Sequence, residues 1–157
     1  ASAYQIPKEK RERRQADLAQ LFDMTAHAAS PIGDVSHGMR QKTIVIGALL
    51  PDPDIWVLDE PMTGLDPQAI YDLKQLMRSH AAKGKTVIFS THVLATAQEL
   101  CDELAILRHG ELIYTGSVKQ LLSTMPDASL ETIYLKMAGR QADQATVNDL
   151  EGGTGNV

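Results

Sequence analysis

Two adjacent carboxylates give the first sign of chemistry. Asp59 and Glu60 close the apolar run Ile55-Trp56-Val57-Leu58 and stand directly before Pro61. Four consecutive apolar residues suit a strand buried on both faces, and a proline, lacking an N–H, stops the ladder where the acids emerge. Such acids sit at the carboxyl edge of a sheet, where ligands of open α/β proteins bind. One carboxylate there can hold a metal ion and its neighbour can activate a water. Ordinary strand punctuation explains this heptapeptide equally well. A second apolar run, Thr86-Val87-Ile88-Phe89, ends in Ser90-Thr91-His92, so His92 shares the edge if the two strands are parallel neighbours. Two further stretches favour anions or helix starts. Ser36-His37-Gly38-Met39 opens a helix, with Ser36 as its N-cap and Gly38 leaving room for a ligand to approach the backbone. Asp66 precedes Pro67 as an N-cap precedes the first residue of a helix. By itself each has a purely structural explanation.

The elements that must position these residues are legible from periodicity. A mixed-charge helix follows Pro7 and carries Leu18, Leu21 and Phe22 on one face. Its basic run is interrupted by Glu9 and Glu12 and reads as a solvated face. The helix begun at Ser36 passes through Ile44, Val45, Ala48, Leu49 and Leu50, and Pro51-Asp52-Pro53-Asp54 turns it into the first strand. A helix from Pro67 to about Ala82 presents Ile70, Leu73, Leu76 and Met77. Gly84-Lys85-Thr86 looks like the end of a phosphate-binding loop, but the earlier glycine is replaced by Ser79, a helix precedes and a strand follows. Gly84 reads instead as a helix-terminating glycine. A helix over 93–102, a hairpin turning at Gly110, a short helix over 117–122 and a last one over 130–136 complete the pattern. The polar, glycine-containing tail has little to bury.

Composition narrows the class. The 157 residues are one domain's worth, 43% hydrophobic and 22% charged, with a net charge of −5 that offers no global attraction to nucleic acid or anionic membranes. No window approaches a membrane span and no signal peptide opens the chain. Cys101 is the only cysteine, which excludes an internal disulfide, suits a reducing compartment, and reads as a small buried apolar residue.

In chain order, Ser36-His37-Gly38-Met39-Arg40-Gln41, Asp59-Glu60-Pro61, Gly64-Leu65-Asp66-Pro67 and Ser90-Thr91-His92 resemble the signature motif, Walker B, D-loop and switch histidine of ATP-binding cassette (ABC) ATPase domains. The resemblance spans nearly all of residues 1–137 and is nearest to exporter-type ATP-binding subunits. His37 and Met39 depart from the commoner Ser-Gly-Gly-Gln form in a way that branch shares. It implies an α/β fold: a partial P-loop NTPase-like, mainly parallel sheet with an N-terminal helical lobe. Residues 1–50 would form that lobe and the signature helix, 51–137 the α/β part, and 138–157 a loosely ordered tail.

The resemblance also implies roles. Asp59 would help hold Mg²⁺, Glu60 would polarise the attacking water, and His92 would contact the γ-phosphate of ATP. Ser36, His37, Gly38 and Met39 would face ATP held by a second ABC subunit, with Asp66 at the junction. A membrane-spanning permease would be the other partner, placing the protein in the cytoplasm on the inner face of the membrane, with no nucleic acid involved. Walker A, the Q-loop glutamine and the adenine-stacking aromatic belong upstream of residue 36, so the chain reads as the carboxyl part of such a domain, inactive by itself. Two other readings compete: a non-catalytic module docking on an intact ABC subunit, and a non-transport ABC ATPase. Without upstream strands, sheet edge and apolar surface are expected to be exposed.

Overall fold

The computed structural model describes residues 6–138, and the chain forms two compact units divided between His92 and Val93. In the first unit helix α1, Lys8–Leu21, leads through a 3₁₀ turn at Thr25–His27 to α2, His37–Leu49. Strand β1, Ile55–Leu58, helix α3, Pro67–Ala82, and strand β2, Thr86–Phe89, follow. Among the described residues no helix is long and apolar enough to cross a membrane.

Helix α1 ends where Asp23 takes φ 53° and the N–H of Met24 reaches back to the carbonyl of Ala19, closing the last turn with an aspartate where glycine is usual. Its buried residues are Leu18 and Ala19, with Phe22 and Met24 beyond its end, while Leu21 points outward at 39% exposure. Leu21 was expected on the inner face and is not there. Beyond the closing turn Phe22 is buried, and Ala19 rather than Leu21 stands with Leu18 on the covered side of the helix.

Strands β1 and β2 pair in parallel, Ile55 beside Thr86 through Leu58 beside Phe89. Trp56 and Leu58 are buried, whereas Ile55, Val57 and Ile88 are 56%, 74% and 54% exposed. The expectation of a strand buried on both faces is therefore corrected. Helices α2 and α3 pack on this sheet and cover one face, and the period-two alternation leaves the other row of aliphatic side chains uncovered among the described residues.

Helix α3 begins as its sequence suggests, with Pro67 in its first turn and Asp66 Oδ1 accepting the Ala69 N–H at 2.9 Å. Gly84, at φ 78°, takes the chain out of it. Its buried stripe is Ala69, Leu73, Met77 and His80, displaced from the expected one, so Ile70 and Leu76 are only half-buried. His80 stacks on Trp56 with ring centroids 3.7 Å apart. Its Nδ1 lies 3.8 Å from Asp52 Oδ1, and Asp52 also meets Arg14 at 3.1 Å and Lys85 at 3.3 Å. Arg14 caps α2 as well, donating from Nε and Nη2 to the carbonyl of Leu49. Burial pushes against ionisation of Asp52, but Arg14 and Lys85 outweigh it and hold the carboxyl below its ordinary range.

Burial, then Lys85, hold the His80 pKa below its ordinary value against the pull of Asp52. The unfolded chain thus takes up a proton that the folded chain resists, so this contribution to stability is complete above about pH 6.5 and is lost as pH falls below it. A His80→Phe variant, which keeps a ring against Trp56, is expected to flatten the melting-temperature profile below about pH 6.5. Circular dichroism melts across that range check it, and an unchanged slope contradicts the assignment.

The second unit holds helix α4, Leu94–Leu100, the antiparallel pair β3, Glu103–Arg108, and β4, Glu111–Ser117, and helices α5, Val118–Ser123, and α6, Leu130–Met137. The hairpin turns on two residues of positive φ, His109 at 50° and Gly110 at 82°, as a two-residue turn matched to strand twist requires. Ala97, Ile106, Leu121, Leu130 and Ile133 form its core, and Gln98 Oε1 accepts the N–H of Leu130 to tie α4 to α6. Among the described residues the parallel part is thus one strand pair, with the hairpin a separate antiparallel sheet. Cys101 is half-buried rather than buried, and burial together with Asp102 pushes its thiol upward, which suits an unreactive residue. Ala138, expected to start the tail, is buried as the C-cap of α6, and the remainder of the tail, 139–157, lies outside the described residues.

Candidate functional site

The end of β1 is shaped by one serine. The ladder extends one bond beyond the strands, from the Ser90 N–H to the carbonyl of Leu58 at 2.9 Å, which sets Ser90 beside the two acids. Its Oγ accepts the Glu60 N–H at 2.9 Å and its hydroxyl donates to Asp59 Oδ1. A single hydroxyl thereby fixes the backbone of one acid and the carboxylate of the other. Glu60 has φ 42°, a left-handed conformation unfavourable for a residue with a long side chain, and the turn that follows is closed by the Thr63 N–H on the Glu60 carbonyl. Strain at such a residue persists only where its surroundings enforce it. Here the enforcing contact is the bond to Ser90.

His92 Nδ1 lies 2.9 Å from Glu60 Oε1. The imidazole is 75% exposed and the carboxylate 36%, so both are open to a ligand. The parallel pairing thus joins residues 32 positions apart in sequence. In the sequence Ser90 marks only a strand end, and its role becomes visible in the pairing. The signal was present in the register, since Leu58 opposite Phe89 puts Asp59 next to Ser90.

Asp59 is exposed, and among the described residues no three His, Cys, Asp or Glu side chains gather to hold a metal. That donor set fails a cation needing an all-protein cage. It suits Mg²⁺, which takes one or two carboxylates and fills its remaining positions with waters and substrate phosphates.

A second cluster forms around the start of α2. Ser36 Oγ accepts the Met39 N–H at 3.3 Å, and Ser36 and His37 are exposed while Gly38 and Met39 are half-buried. Against this helix start lies the loop that leaves Glu60. A Cβ at Gly38 would lie 3.1 Å from the Gly64 carbonyl oxygen, and a Cβ at Gly64, itself at φ 79°, would lie 3.1 Å from His37 Nε2. Lys42 Nζ meets Asp66 Oδ2 at 2.7 Å. That bond, and next the Ala69 N–H, hold the Asp66 carboxyl below its ordinary range. The structure therefore brings Asp59, Glu60 and His92 together through Ser90, and brings Ser36, His37, Gly38 and Met39 together with Asp66 through the 61–65 loop. The first group offers a carboxylate for a cation, a carboxylate for a water and an imidazole. The second is a helix start with free amides, suited to an anion.

Gly84 and Lys85 lie elsewhere, at the amino end of β2. Lys85 Nζ donates to the Asp52 carbonyl at 2.9 Å and pairs with Asp52 and Asp54, so this Gly-Lys-Thr is occupied structurally, as its context suggested.

Residues 7–95 match the family profile described as "AAA domain, putative AbiEii toxin, Type IV TA system". Over 144 residues the chain is 37% identical to the ABC-type transporter ATP-binding protein EcsA of Bacillus subtilis, covering 90% of this chain and 58% of that protein. It is 36% identical over 118 residues to the Nod factor export ATP-binding protein I of Ralstonia nicotianae, covering 75% of this chain and 37% of that protein. A solved ATP-binding subunit of an ABC transporter superposes with a TM-score of 0.82 at 34% identity, over 88% of this chain and 58% of that one. The fold is thus the mixed α/β, P-loop NTPase-like fold with a helical lobe, and the chain spans little more than half the length of these proteins, or less.

Proposed function

We propose a function from one fact, that this chain belongs to the AAA-domain family and is a homologue of ABC transporter ATP-binding proteins. It supplies the water-activating and signature elements of an ATP-hydrolysing exporter subunit. The observation that carries this reading is the cluster of Asp59, Glu60, Ser90 and His92 at the carboxyl edge of two parallel strands.

In this reading Asp59 would help hold Mg²⁺, and the ion would supply neutralisation of charge on the phosphates. Glu60 accepts a hydrogen bond from the attacking water and polarises it, its carboxylate oriented by His92. A protonated imidazole can donate from Nδ1 to Glu60 and from Nε2 to a γ-phosphate oxygen at once, which a neutral ring cannot do. Ser36, His37, Gly38 and Met39 present the start of α2 to ATP held by a second subunit, and Asp66 lies at that junction. The lysine and amides that cradle the β- and γ-phosphates are not supplied by Gly84-Lys85-Thr86, because Lys85 is engaged at the opposite end of the strand. Hence the chain by itself does not turn over ATP. A permease carries it to the inner face of the membrane and sets the transported substrate.

The engagement of Lys85 also supports the second reading, a module that docks on an intact ABC subunit and contributes only its α2 face. Both readings require ATP-dependent association. Mixed with an intact ABC ATP-binding subunit carrying a water-activating Glu→Gln change, so that ATP persists, this chain is expected to bind at least about tenfold more tightly with ATP present, through the contacts made to a bound nucleotide. Sedimentation or light scattering reads this. Equal association with and without ATP, or turnover by the chain alone that Glu60→Gln abolishes, overturns the proposal.

A further inference from the structure

Lys42 has no part in the functions set out above. It stands on the second turn of α2, its side chain only 14% exposed, and its ammonium lies 2.7 Å from a carboxylate that is 48% exposed. A side chain this covered is packed along its stem, and its charged end is directed at that carboxylate. The carboxylate it meets is that of Asp66, the N-cap of α3, whose other oxygen accepts the Ala69 N–H. The pair therefore ties α2 to the start of α3 across the loop that leaves Glu60. Two backbone contacts lie beside it. Gly38 sits so close to the Gly64 carbonyl that a Cβ would approach to 3.1 Å, and the His37 ring closes on Gly64 at the same limit. Glycine at both positions is what lets the two segments touch. Those contacts are steric and hold nothing against separation. The ion pair adds an electrostatic attraction between α2 and this loop.

We propose that Lys42 is a positioning residue: it clamps Asp66, and with it the loop through Gly64, onto the 36–38 helix start, so that the two segments move as one body. This rests on the function proposed above in one respect. If that surface faces ATP held by another subunit, the clamp delivers the helix start and the 64–66 loop to it together, and Lys42 acts on the nucleotide only through them.

The test uses the full chain with Lys42→Met, which keeps the apolar stem and removes the charge, and Lys42→Arg, which restores it. Amide hydrogen exchange at Leu65 and Ala69 is compared with that at Ile133 in the other unit. With Lys42→Met, Leu65 and Ala69 are expected to exchange about three- to tenfold faster while Ile133 is unchanged, the mark of a local opening. Lys42→Arg is expected to restore both. The carboxyl ¹³C titration of Asp66 is expected to move up in Lys42→Met and back down in Lys42→Arg, a readout that a purely space-filling lysine would not shift. If Lys42→Met fails to fold, Asp66→Asn, which keeps an N-capping side chain but lacks the charge, is expected to reproduce the faster exchange at Leu65. Unchanged exchange at Leu65 in whichever variant folds, or equal acceleration at Ile133, overturns the clamp. Failure of the functional reading shows separately, as ATP-independent association of the unmodified chain, and leaves the exchange comparison intact.

Discussion

In an intact ABC ATP-binding subunit carrying residues 6–138 of this chain in place of its own aligned segment, Glu60→Gln is expected to lower MgATP turnover at least about 100-fold, the scale of a lost general base. ATP affinity should stay within about twofold, since the phosphates are held by other groups. The substitution is nearly isosteric. Glutamine can keep φ 42°, the N–H donated to Ser90 and the turn to Thr63, so the strand end need not move. What it loses is the negative charge that faces His92, 2.9 Å away, and that in the proposed reading would polarise the attacking water. Initial rates and nucleotide titration on the same preparations separate the two quantities. A variant that turns over ATP at the parent rate removes Glu60 from the chemistry.

The second large effect is on stability. Leu73 is fully buried, on the inner stripe of α3 with Ala69 and Met77, and α3 packs on β2. Leu73→Ala is expected to cost about 2–5 kcal/mol, transfer and cavity terms together. Against a total of roughly 5–15 kcal/mol this is enough to leave a marginal chain partly unfolded at 37 °C. Because α3 starts at Asp66 and braces β2, loosening it also releases the 64–66 loop and the strand end bearing Ser90. Urea unfolding followed by circular dichroism checks the value, with Val57→Thr as a control. Val57 is 74% exposed on the uncovered sheet face, so that change should stay within about 0.5 kcal/mol. A Leu73→Ala loss below 1 kcal/mol would show that α3 does not anchor the sheet.

The capped starts and the turns were legible because they rest on local chemistry. Ser36 and Asp66 cap their helices, Gly84 ends one and Gly110 turns a hairpin. Each of these needs only a few neighbouring residues. Parallel pairing of β1 with β2, and with it the meeting of Glu60 and His92, followed from two apolar runs ending in polar groups. Burial was harder to read. Four apolar residues in a row cannot say whether one face or two will be covered, because that depends on what packs there, and Val57 and Ile88 turned out exposed. His80 was invisible for a related reason. A polar ring becomes a core residue only when a partner such as Trp56 and a neutralising cluster such as Asp52, Arg14 and Lys85 assemble around it from distant segments. Ser90 and Lys42 were missed because their roles lie in contacts 31 and 24 residues away in sequence, with Asp59 and Asp66.

The most direct test of the central claim, that Asp59, Glu60 and His92 with the α2 face form a working part of an ATP-hydrolysing site, is the MgATP turnover of the grafted subunit before any substitution. It is predicted to retain turnover within about tenfold of the parent, as a site with its catalytic groups correctly placed should. A folded graft that binds ATP but hydrolyses it no faster than its own Glu60→Gln variant would contradict the claim.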